Sequence, residues 1–171
     1  MLPVNNKALL AVLNSKIVWT FLTTICVVRN GGYIEVKPQY FEQIPIPPLE
    51  GELCKTLESL ADAMLTLHQQ LQEKRSRFLN RLSEDYDGLK KTTALQQFDT
   101  MDFKGLKAEL KKQKISIPLK EQDEWEDFFN QRVAECQQLT AQIKATDEEI
   151  DNKVFDLYGL TEEERQIVMN G

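Results

Sequence analysis

From Leu53 onward the apolar residues keep a strict rhythm. Leu53, Leu57, Leu60, Met64, Leu67, Leu71, Phe78 and Leu82 recur in alternating steps of four and three, with one weak slot at Lys74/Arg75. Such spacing is a heptad seam, the stripe that one α-helix presents to another. Trp125, Phe129, Arg132, Cys136, Leu139, Ile143, Thr146, Ile150, Val154 and Leu157 repeat the rhythm further on. The two seams predict long helices over about 50–82 and 118–157. At ~1.5 Å per residue the first is roughly 50 Å long. Large residues close the first seam (Phe78, Leu82) and open the second (Trp125, Phe129), so antiparallel pairing brings them together. The expected fold is mainly α, a long antiparallel helical hairpin with coiled-coil-like packing.

Residues 83–117 join the seams as a helical tip. Gly88 and the stretch Ser116–Pro118 punctuate it, and Phe98, Phe103, Leu106 and Leu110 suggest one or two short helices folded onto the hairpin. Asp99 or Thr100 is expected to cap the second of these, and Pro118 to open the returning helix. After Leu157, Gly159 suits a helix stop, and Thr161-Glu162-Glu163-Glu164 is a capping box for a last short helix.

Residues 1–49 read differently and form a separate region from 50–171. Leu9, Leu10, Val12, Leu13, Ile17, Val18, Phe21 and Leu22 give one helix that is apolar almost all round and needs cover on several sides. Asn30-Gly31-Gly32 signals a turn, Tyr33–Val36 a short strand, and Ile44-Pro45-Ile46-Pro47-Pro48-Leu49 a stiff extended connector. A lone strand cannot form a sheet, so this region is expected to be a small α+β remnant lacking its pairing strands. Its apolar run from Ile17 to Val28 is too short to span a bilayer, and no signal-peptide cleavage site follows; no membrane association is expected.

The net charge is −6, which argues against wholesale nucleic-acid coating. The charge is uneven. Residues 1–49 hold four basic against two acidic residues, whereas 116–157 hold four against eleven. Three separated cysteines, Cys26, Cys54 and Cys136, make neither a zinc ribbon nor a disulfide framework, and fit a reducing cytoplasm.

No catalytic constellation is complete. Ile46-Pro47-Pro48-Leu49 lacks the polar first and aromatic last residues of the Pro-Pro loop that holds an extruded base in amino-methylating enzymes. Glu35-Val36-Lys37 imitates half of a nuclease motif without an upstream acid. His68, the single histidine, has no partner at local spacing, and Glu148, Glu149 and Asp151 read as a solvated face. No catalytic, cofactor-binding or metal-binding residue is expected. Lys104, Lys107 and Lys111 share one helical stripe in a basic cluster with Lys90, Lys91, Lys112 and Lys114, suited either to phosphates or simply to solvent.

Two segments carry a resemblance. Leu13-Asn14-Ser15-Lys16, Gly31–Tyr40 (Gly-Gly-Tyr-Ile-Glu-Val-Lys-Pro-Gln-Tyr) and Ile44-Pro45-Ile46-Pro47 resemble the end of the TaqI-like C-terminal specificity domain of adenine-specific DNA methyltransferases. Leu119–Trp125, Ala145–Asp151 and Val154–Thr161 resemble the helical tail of the same enzymes, which include fused restriction–modification proteins of type IIG or type I-like organisation. The resemblance implies a non-catalytic DNA-specificity and spacer fragment, with residues 1–49 the end of the target-recognition domain. It places Met1 within a longer parent, and the methyltransferase core and its S-adenosylmethionine site upstream. Duplex DNA and that upstream core are the implied partners. Arg29, Tyr33, Lys37, Gln39 and Tyr40 around the glycine turn, with Lys104, Lys107 and Lys111, are the candidate DNA contacts. The alternative is a coiled-coil interaction module that never touches DNA. Self-association is expected through the apolar helix at 8–28 or along the hairpin.

Overall fold

The computed structural model describes residues 6–28, 31 and 33–170. Two long helices dominate it, α4 (Gly51–Asp85) and α7 (Gln122–Tyr158). They pack together antiparallel. Lys74 meets Glu135, Phe78 meets Phe129 and Tyr86 meets Trp125, so rising numbers on α4 face falling numbers on α7. The mainly α hairpin read from the two seams is thus the observed fold. Pro118 does not open α7. It is extended and precedes a 3₁₀ turn, Leu119–Glu121, in which its carbonyl accepts the Glu121 N–H.

The described chain forms two compact units, residues 66–143 and residues 1–65 with 144–171, which cut across the boundary expected at 49/50. In the unit of residues 66–143 the hairpin carries two short helices, α5 (Thr93–Gln96) and α6 (Phe103–Lys112), joined by a 3₁₀ turn at Phe98–Thr100. Phe78, Leu82, Leu95, Phe98, Leu106, Leu110 and Phe129 are fully buried there. The Phe78 and Phe98 ring centroids stand 4.0 Å apart, and Phe129 packs against both rings and that of Phe103. The cap of α6 is Asp102, whose carboxylate accepts the Gly105 N–H at 2.7 Å, and not Asp99 or Thr100. Asp99 is engaged elsewhere, and the Thr100 hydroxyl donates back to the Gln97 carbonyl. Helix α6 ends in a Schellman turn: Ile115 N–H reaches the Leu110 carbonyl, and Lys114 takes φ +63°.

In the other unit the single N-terminal helix expected from the apolar pattern is two, α1 (Lys7–Leu13) and α2 (Lys16–Ile25), bent by 53°. Short polar side chains make the break. Asn14 donates to the Leu10 carbonyl, and the Ser15 hydroxyl, buried, donates to that of Val12. Ser15 makes no cap of its own; instead Asp151 of α7 accepts the Lys16 N–H at 2.8 Å. Asp151 is therefore buried, which corrects its reading as part of a solvated acidic face. Glu148 and Glu149 are exposed as expected.

The strand is not alone either. β2 (Ile34–Glu35) pairs antiparallel with β1 (Val27–Val28), Val27 opposite Glu35 and Val28 opposite Ile34. A single apolar run had concealed both the helix and the strand that follows it. Beyond β2 lies a helical turn, α3 (Pro38–Phe41). The Pro-rich connector is neither helix nor strand; Ile44 is buried, and the Pro45 carbonyl accepts the Tyr158 hydroxyl at 2.7 Å. Gly159 (φ +66°) closes α7, and Thr161 and Glu164 exchange hydrogen bonds at the start of α8 (Glu162–Asn170), which packs on α2. No single helix among the described residues is long and apolar enough to cross a membrane.

Candidate nucleic-acid interface

Helix α6 separates its faces cleanly. Phe103, Leu106 and Leu110 are buried, and the lysines fall on the remaining arc. Lys104 and Lys111 are exposed and form no ion pair among the described residues. Lys107 differs. It is half-buried, its ammonium lies 4.9 Å from the Phe103 ring centroid, and it donates to the Gln122 side chain at 3.3 Å. The ammonium faces the ring and is shared with the Gln122 side chain, so Lys107 secures α6 to the start of α7. Lys112 pairs with Glu109. Gln113 both donates to and accepts from the backbone of Lys90, holding the loop before α5 against the end of α6, and Lys91 donates to Asn80. Lys104 and Lys111 thus remain free to meet a phosphate.

The other candidates lie in the unit of residues 1–65 and 144–171. Tyr33 is 75 % exposed beside Gly31, whose φ of +96° only glycine adopts at ease. Lys37 is exposed, 3.9 Å from Glu35. Gln39 is exposed, and its carbonyl accepts the Gln43 side chain. Tyr40 is half-buried and packs on the unit's apolar core, which makes it partly structural. Arg29 lies outside the described residues. The two groups of candidates therefore sit in separate units, and the structure places Tyr33 just before β2 and Lys37 at the cap of α3, with Lys104 and Lys111 on one helix.

One site escaped the sequence reading. Arg75, in the weak slot of the first seam, holds Asp99 of the tip through two bonds, Nε–Oδ1 at 2.8 Å and Nη2–Oδ2 at 2.7 Å. Asp99 is 5 % exposed, and its carbonyl also accepts the Gln137 side chain. Next to it Lys74 donates to Glu135 at 2.7 Å, and Arg132 reaches the same carboxylate at 2.9 Å. The Lys74 bond, with Arg132 adding to it, holds the Glu135 carboxyl below its usual range against the cost of burial. Hydrogen bonding to Asp99 raises Arg75 still further. Burial, with Asp99 nearby, pushes the Cys136 thiol up to about 11, so it stays neutral. The signal was present in the weak slot itself, but a carboxylate 24 residues away could not be matched to it by spacing.

Among the described residues no group of His, Cys, Asp and Glu is placed to hold a metal ion. His68 is exposed on α4, and the three cysteines are buried and free.

Residues 52–154 match the family model described as domain of unknown function DUF8810. The chain belongs to the DUF8810 family. The match runs from the first turn of α4 to one turn short of the end of α7, so the DUF8810 region comprises nearly all of the hairpin and its tip, with the lysine stripe and the layer of ion pairs around Asp99 and Glu135 inside it. No curated protein and no solved structure matches this DUF8810 chain.

Proposed function

We propose that the chain is a non-catalytic DNA-specificity and spacer region of a cytoplasmic restriction–modification system, acting with an adenine-specific DNA methyltransferase core supplied elsewhere. The resemblance of Gly31–Tyr40 and of the helical tail to such enzymes gives the class. The observation that carries the DNA side of the reading is the pair of exposed, unpaired ammonium groups, Lys104 and Lys111, on the outer face of α6. Lysines in that setting neutralise phosphates without reading bases, which is the part a spacer plays. Tyr33, Lys37 and Gln39 on the glycine-turn side are the exposed groups offered to a base edge or backbone. S-adenosylmethionine belongs to the core in this reading, and the chain itself uses no cofactor and no metal.

Incubation with labelled S-adenosylmethionine and mixed-sequence duplex, beside a gel-shift series at rising salt, tests the proposal. A weak shift that salt abolishes, with no methyl incorporation, is the expected result. Methyl incorporation above background overturns the non-catalytic part, and absence of any shift at low salt overturns the DNA part.

A second reading is an interaction module without DNA contact. It is favoured by large apolar side chains left in water in the same unit: Trp19 at 56 % exposure, with Leu10, Val27 and Val36. Association that rises with concentration, without any shift on DNA, decides for it.

A further inference from the structure

The polar layer at Lys74, Arg75, Asp99, Arg132 and Glu135 has no place in either reading. It interrupts the stripe that builds the hairpin and sits among buried apolar residues, Leu71 and Phe78 on α4 and Phe129 and Cys136 on α7. Along a seam of leucines a helix can slip by one heptad, or pair with a second copy, and still set apolar against apolar. A buried charge removes that freedom. Any slip carries Arg75 away from Asp99 and leaves a carboxylate of 5 % exposure without its guanidinium. The layer also draws on three segments at once. Arg75 and Lys74 come from α4, Asp99 from the 3₁₀ turn of the tip, and Arg132, Glu135 and Gln137 from α7. Two α4 helices from separate chains would set four cations together and bring no carboxylate of their own from this layer.

We propose that this layer fixes the register of the α4–α7 pairing and holds the two helices to each other instead of to a second copy of the chain. It is a specificity device, and its cost is borne in stability: apolar residues of similar volume would pack the same space without burying the Asp99 carboxylate and partly desolvating the four charges around it. Association of the native chain then runs through surfaces other than the seam.

The test replaces the whole layer in the full chain: Lys74→Leu, Arg75→Met, Asp99→Leu, Arg132→Leu and Glu135→Leu. Circular dichroism reports folding, and light scattering on a sizing column reports mass over a hundredfold range of concentration. The expected result is retained helicity, a melting temperature equal to or above the native one, and new species of about twice the native mass or more. A folded variant that keeps the native mass distribution overturns the proposal. A second comparison holds if the fivefold variant fails to fold. Arg75→Met alone leaves Asp99 buried and unpaired, and lowers the melting temperature by at least about 5 °C. Adding Asp99→Leu then restores most of that loss; a double variant that melts no higher than Arg75→Met overturns the proposal as well.

Discussion

Asp151 is buried on α7, where its carboxylate accepts the Lys16 N–H. Burial raises its pKa above the ordinary 3.8, and the Lys16 bond only partly opposes this. A carboxyl whose folded pKa is raised favours the folded state most when protonated, so its contribution is fully present below the unfolded value and is lost as pH rises through the folded one. Asp151→Asn keeps the acceptor and removes the charge. Urea titrations are expected to show this variant at least as stable as the native chain at pH 7, with the difference closing toward pH 4. Asp151→Ala, which leaves the start of α2 uncapped, loses about 1–3 kcal/mol at pH 7. Lys114 gives a second case. It holds φ +63°, a region that costs a residue with a Cβ about 1 kcal/mol, so Lys114→Gly stabilises the chain by about that amount in the same assay. Neither position was legible in the sequence. Asp151 looked like one of three surface acids, because the break in the apolar helix that it caps had no glycine or proline to mark it. Lys114 looked like one more cation in a basic run.

Elements were more legible than residues, and the reason is period. Seams of eight and ten positions, each over some thirty residues, define a helix and its buried face together, so α4 and α7 emerged within a few residues of their observed ends. Thr161 and Glu164 marked α8 because a capping box is local chemistry. Where two elements share one apolar run, period fails: α1, α2 and β1 merged into a single predicted helix, and β2 lost its partner on paper. The tip lay between these cases. Its apolar residues were recognised, but their docking rests on ring packing that no spacing encodes. Phe98 decides that docking, since it is fully buried against Phe78 and Phe129. Phe98→Ala is expected to cost about 3–5 kcal/mol. Hydrogen exchange should show the lost protection spread over residues 92–113 more than over the middle of α4; uniform loss along α4 would mean that the tip is not a separable element.

At the scale of the whole molecule, charge decides what DNA binding is possible. The chain carries −6 overall, and the acidic excess falls on residues 116–157, most of which form α7. A polyanion is repelled by that helix at any distance below the screening length of roughly 10 Å at 0.1 M salt. Cations must therefore act locally, and of the candidates on α6 only Lys104 and Lys111 are exposed and unpaired; Lys107 is tied to Phe103 and Gln122. Two phosphate contacts give a shallow salt dependence, with log K falling by about 0.9 per contact for each decade of salt. The double variant Lys104→Ala/Lys111→Ala should lower the salt slope on duplex DNA by about 2, while leaving the melting temperature within about 2 °C of the native value, because neither side chain is buried. Lys107→Ala should do the reverse, changing the slope by less than 1 and lowering the melting temperature through loss of its contacts with Phe103 and Gln122. Fluorescence anisotropy with a labelled duplex at salt concentrations from about 20 to 200 mM separates the two. Equal slopes for the double variant and the native chain would take α6 out of the interface and leave Tyr33, Lys37 and Gln39 as the groups to be changed next.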